Sequence, residues 1–170
     1  VIEINDPCLW TPDSPQLYTL RTEIFVEDQL RDSCDTTFGI RTVEFHPERG
    51  FLLSGEQVKL KGVCEHHDGG PVGAAFPDEV LERRLRILKE MGCNAIRTAH
   101  NPRTPVFYDM CDRMGILVMD EIFDGWHKKA EHDYGARFFE EHWQTDVKSW
   151  ILRDRNHPCV ILWSIGNETG

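Results

Sequence analysis

The chain has 170 residues, 40% apolar and 28% charged, which is enough for one ordinary domain or parts of two. Its net charge of −10 opposes phosphate backbones and anionic bilayers, so neither nucleic acid nor a membrane is expected as a partner. The longest apolar run, Val160 to Ile165, has the length of a buried strand, far short of the roughly 18 residues a spanning helix needs.

Both ends read as cut points: Val1-Ile2-Glu3-Ile4 looks like the middle of a strand and has no leader pattern, so the compartment is left open. Residues 1–46 look all-β. Leu17 to Val26 alternates with Tyr18, Leu20, Ile24 and Val26 on one face, Glu27-Asp28-Gln29 is a polar turn, and Thr36 to Phe45 is a second β-rich run. Trp10 to Pro15 is a proline-punctuated loop. So few strands cannot close a sandwich, which makes this the tail of a larger β-domain.

From His46 onward strands alternate with helices. Gln57 to Val63 reads as a strand. Asp78 to Met91 reads as a helix capped by Asp78, striped by Leu81, Leu85 and Leu88, and stopped by Gly92. Ala95-Ile96-Arg97 is a short strand. A second helix follows, with Thr104 as cap and Pro105 at its first position; Phe107, Met110, Cys111 and Met114 line it and Gly115 ends it. Ile116 to Met119 is the third strand. Phe138 to Arg153 is the third helix, with Phe139, Trp143, Val147, Trp150 and Ile151 expected inside. Val160 to Ile165 is the fourth strand, apolar on both faces as a doubly covered parallel strand would be. The order β-α-β-α-β-α-β implies a parallel sheet, either doubly wound or half of an eight-stranded barrel. No Gly-x-Gly-x-x-Gly turn follows the first strand, which weakens a nucleotide-binding reading.

Functional groups in such folds collect beyond the C-terminal ends of the strands. Here those ends carry Glu65, His66, His67 and Asp68; then Arg97, Thr98, His100 and Asn101; then Asp120, Glu121, Asp124 and Trp126; then Asn167 and Glu168. Carboxylates, imidazoles, amides and an aromatic ring suit carbohydrate hydrolysis, which needs a proton donor at the leaving oxygen and a second carboxylate. Blander readings stand beside this one. Glu168 as a solvated loop carboxylate, Arg97 as an ion-pair partner, and Asp120 and Glu121 as strand-end caps are all consistent with the pattern. A metal site of His66, His67, Asp68 and His100 is a rival, although no helical H-E-x-x-H accompanies it. The six cysteines are scattered and are expected to be reduced.

Four segments carry a resemblance. They are Lys61-Gly62-Val63 leading to His66-His67, Asn94 to Pro102 (NAIRTAHNP), Cys111 to Glu121 (CDRMGILVMDE) and Arg155 to Glu168 (RNHPCVILWSIGNE). Together they resemble glycoside hydrolase family 2, which contains β-galactosidases, β-glucuronidases and β-mannosidases. The resemblance implies an α/β fold: the first half of a (β/α)8 TIM barrel over residues 47–170, about four β/α units, preceded over 1–46 by the last strands of an immunoglobulin-like sandwich. It implies a retaining glycosidase, most simply a β-galactosidase, with Glu168 as acid/base. Asn167, which matches the residue that bonds the sugar 2-hydroxyl, would bind substrate, as would His66, His100, Arg97, Asp120 and Trp126; Arg97 also matches the arginine that orients and ionises the nucleophile. A magnesium-binding Glu of the enterobacterial pattern is replaced by Gly125, so no metal and no cofactor is expected. The partner is a carbohydrate, and a homo-oligomer is left open. The nucleophile is expected beyond the chain end, after a seventh strand, so the segment alone should be inactive and its fourth strand an unpaired edge. The alternatives are a β-glucuronidase or β-mannosidase of the same family, or a non-catalytic sugar-binding relative.

Overall fold

A computed structural model describes residues 2–127 and 131–169. Strands β1 (Tyr18–Val26) and β2 (Gln29–Phe38) form an antiparallel hairpin. Its two-residue turn, Glu27-Asp28, takes positive φ at both positions, which matches the twist of paired strands. The second strand therefore starts at Gln29 rather than at Thr36, because the tight turn fixes its register earlier. β3 (Val43–His46), β4 (Gly50–Leu53) and β5 (Glu56–Gln57) form a small antiparallel sheet. The strand expected over Gln57–Val63 is thus split: Gln57 closes this small sheet, and β6 (Gly62–Glu65) opens the next one.

β6, β7 (Ala95–Thr98), β8 (Leu117–Glu121) and β9 (Val160–Ser164) make a parallel sheet in strict sequence order. A doubly wound sheet would reverse its order at some point; an unbroken order is that of a β/α barrel. Helices α1 (Asp78–Glu90), α2 (Pro105–Met114) and α4 (Phe139–Asp154) alternate with the strands, and short α3 (Tyr134–Arg137) precedes α4. Ile96 and Val118 pack with Leu81, Leu85, Phe107 and Met110 in the main core. The alternate strand positions, Gly62, Cys64, Ala95, Arg97, Met119 and Leu162, border a hollow on the other face of the sheet.

Pro105 and Gly115 bound α2 as the sequence suggests, with Gly115 left-handed. Thr104 occupies the cap position but makes no side-chain cap bond. Pro77 rather than Asp78 caps α1, and Asp78 lies in the acidic first turn, where it complements the helix dipole. Two expectations of burial fail. Trp143 is 40% exposed and stacks on Phe139, which itself takes the buried place against Phe123 and His127. β9 buries Val160 and Ile161, which point to opposite faces, but Trp163 further along it is exposed. All six cysteines are free.

Candidate active site

The parallel register sets Arg97 beside Met119, so Arg97, Met119 and Glu121 share the face opposite the helices. Ser164 lies across from Glu121 on β9. At this junction the Glu121 carboxylate is wholly buried and accepts four hydrogen bonds. Arg97 grips it with both prongs, Nε to Oε2 at 3.0 Å and Nη2 to Oε1 at 2.9 Å. His100 Nδ1 lies 2.7 Å from Oε1, and Ser164 Oγ donates to Oε2 at 2.6 Å. A carboxylate has about four acceptor sites, so Glu121 is saturated, the condition under which a buried ion pair is tolerable. Because Glu121 accepts, His100 carries its proton on Nδ1, which leaves Nε2 as the nitrogen available to a ligand. Burial lowers the Arg97 pKa, but Cys64, 3.7 Å from Nη1, and Glu121 outweigh it and leave the group raised.

Arg97 Nη2 also donates to Asn167 Oδ1 at 2.8 Å, and Asn167 Nδ2 donates to Asp124 Oδ1 at 3.2 Å. A guanidinium has no acceptor and a carboxylate no donor, so the two partners fix which way the Asn167 amide faces. The backbone is tied too: Asn167 N donates to Phe123 O at 3.1 Å and Glu168 N to Asp124 O at 3.0 Å. The turn after β9 is thereby clasped to the loop after β8, and Glu168 stands exposed at its tip. Trp126 braces the same turn through its indole Nε1, which donates to Ile165 O at 2.8 Å.

His66 is exposed, with its ring edge-on to His100 at 5.1 Å. Their neighbours diverge. His67 packs against Phe76, the Asp68 carboxylate receives Gly70 N, and Glu65 pairs with Arg84. The rival metal set of His66, His67, Asp68 and His100 therefore does not converge. Among the described residues one group of candidate ligands does, Asp109, Asp112 and His157. There both oxygens of Asp112 are engaged, by His157 Nδ1 and by Cys159 N. Asp120 departs from its expected place among sugar-binding groups. One residue from Glu121, it points the other way and is fully enclosed by Tyr108, Trp150 and Thr98. The period of two that brings Glu121 to the site takes Asp120 into the helix layer. Sequence reasoning passed over Glu121, Ser164 and Asp124 as partners. The parity with Arg97 and Met119 could have found Glu121, but only once the register was known.

The family model described as "Glycosyl hydrolases family 2, TIM barrel domain" matches residues 46–170, and "Glycosyl hydrolases family 2" matches 1–41. The chain belongs to glycoside hydrolase family 2. It is 58% identical, over 99% of its length and 16% of the relative's, to a protein of Formosa agariphila provisionally named a β-glucuronidase. It is 52% identical to the β-galactosidase BoGH2A of Bacteroides ovatus, covering 98% of this chain and 20% of that one. The crystal structure of a β-glycosidase from Bacteroides vulgatus superposes with a TM-score of 0.94 at 54% identity, over 98% of this chain and 22% of the other. This family 2 chain thus spans about a fifth of the length of these relatives, and its parallel sheet is part of a TIM barrel domain.

Proposed function

We propose that these residues form the acid/base half of the active site of a retaining β-glycosidase, with a terminal β-galactoside as substrate. The observation that carries the reading is the clasped turn after β9, which presents Glu168 beside an Asn167 amide of fixed orientation. In the first step protonated Glu168 gives its proton to the departing glycosidic oxygen while a second carboxylate attacks the anomeric carbon. In the second step Glu168 takes a proton from water, which releases the sugar. Asn167 and His100, with His66 against it, line the sugar side; Arg97 holds the Asn167 amide, Glu121 holds His100, and Trp126 holds the turn in place. Retention requires the second carboxylate about 5–5.5 Å from the first. Glu121 is saturated and Glu65 is paired with Arg84, so neither of these two serves as that second carboxylate, in keeping with the family pattern that puts it after a later strand.

The galactoside reading is supported by the likeness to the β-galactosidase of Bacteroides ovatus, and three arginines of this chain are already engaged. Arg97 is neutralised by Glu121, Arg84 by Glu65, and Arg103 is buried against the carbonyls of Glu65 and Ala99. None of the three is left for a uronate carboxylate. The likeness to the Formosa protein keeps a β-glucuronidase as the second reading. Glu168→Gln in the full-length enzyme should lower kcat on a natural glycoside by about 10²–10⁴; wild-type turnover by that variant would end the assignment. Aryl β-galactoside should be cleaved faster than the matching glucuronide or mannoside. The opposite order would change the sugar and leave the acid/base in place, and binding without turnover would mark a non-catalytic relative.

A further inference from the structure

We infer that Glu121 is a positioning residue which acts on the reaction through Arg97 and Asn167. The inference rests on the glycosidase reading above and adds a group that touches no substrate. Glu121 is wholly buried, so contact with a sugar is closed to it. Its two oxygens nevertheless hold three site elements at once: Arg97 from β7, His100 from the loop after β7, and Ser164 from β9. Arg97 Nη2 is shared between Glu121 Oε1 and Asn167 Oδ1, at 2.9 and 2.8 Å. One guanidinium nitrogen therefore spans the buried carboxylate and the amide next to Glu168. If Glu121 loses its charge, Arg97 loses the pair of acceptors that fixes its plane, and the Asn167 amide loses the donor that sets its direction. His100 is exposed to the same change, because the Glu121 carboxylate is what keeps its proton on Nδ1. Asp124 still holds the other end of Asn167, so the side chain loosens and is not released.

The test is a double-mutant cycle in the full-length enzyme, read on whichever aryl β-glycoside it cleaves fastest. Glu121→Gln keeps size and shape and should lower kcat about 100-fold with KM nearly unchanged, as a small misplacement of reacting groups does. In an Asn167→Ala background the same change should lower kcat by no more than about tenfold, because only the His100 branch is then left to feel it. A purely structural Glu121 would instead lower the thermal midpoint and cost the same factor in both backgrounds, and that additivity would overturn the inference, as would wild-type kcat for the single variant. If Glu121→Gln does not fold, Arg97→Lys carries the same cycle, since an ammonium lacks the planar fork that meets both carboxylate oxygens in register; additivity there overturns it equally. Glu168→Gln run alongside separates the two claims. Its wild-type turnover would remove the acid/base reading, while the cycle still decides the relay.

Discussion

Asp120 and Glu121 are neighbours in the chain and face opposite sides of β8. Glu121 lies against a guanidinium; Asp120 has Tyr108 Oη at 2.7 Å, Trp150 Nε1 at 2.6 Å and Thr98 Oγ1 at 3.2 Å, all neutral donors. Burial pushes the Asp120 pKa up, nearby Asp154 adds to the rise and the three bonds pull it back, for a net move from 3.8 to about 6. The folded protein thus holds the Asp120 proton more tightly than the unfolded chain does. Stability from the protonated form is complete below about pH 4 and is lost as pH rises through 6, by roughly 3 kcal/mol in all. Asp120→Asn cannot titrate. Its stability relative to wild type, from urea midpoints, should move in the variant's favour by up to about 3 kcal/mol between pH 4 and 7. A difference flat across that range would show that the Asp120 proton is held no more tightly in the fold than out of it.

Helix ends show how a backbone rule and a tertiary contact combine. Gly92 and Gly115 follow α1 and α2 and both have positive φ, 87° and 68°. A Cβ at Gly92 would meet nothing within 4 Å, whereas one at Gly115 would run into the Pro12 carbonyl. Gly92→Ala should therefore cost the left-handed penalty alone, about 1–2 kcal/mol. Gly115→Ala adds displacement of the Trp10–Pro15 loop and should lower the thermal midpoint distinctly further. Equal midpoints for the two variants would mean that the loop yields freely.

Across the whole molecule, the N-terminal stretch is joined to the barrel strands by a few long-range contacts. The Trp10 side chain is fully buried within the main core, and its Nε1 donates to Asp112 O, at 2.8 Å, near the end of α2. Arg41 donates from Nε to Pro158 O at 3.0 Å and from Nη2 to Val160 O at 2.6 Å, at the start of β9. These contacts grip the end of the barrel sheet opposite Glu168, so they serve stability rather than chemistry. Trp10→Ala should cost about 3–5 kcal/mol, as deletion of a large buried aromatic does. Trp10→Phe keeps most of the ring and loses one bond, at about 1 kcal/mol. Urea unfolding of both variants measures the difference, and a Trp10→Ala protein as stable as wild type would show that the stretch is not part of the barrel's core.

Period and punctuation were legible in one dimension: apolar stripes at Leu81 and Leu85, Pro105 and Gly115 around a helix, and polar groups gathered at strand ends, from which the alternating α/β order follows. These are local properties, set within a turn or two of chain. Three matters waited for the tertiary structure. Strand order separated a barrel from a doubly wound sheet; the β7–β8–β9 register decided that Glu121 and not Asp120 meets Arg97; and packing left Trp143 exposed and drew Trp10 inside. Each depends on residues tens of positions apart meeting in space, and a period of two says that neighbouring carboxylates face opposite ways without saying which one meets Arg97.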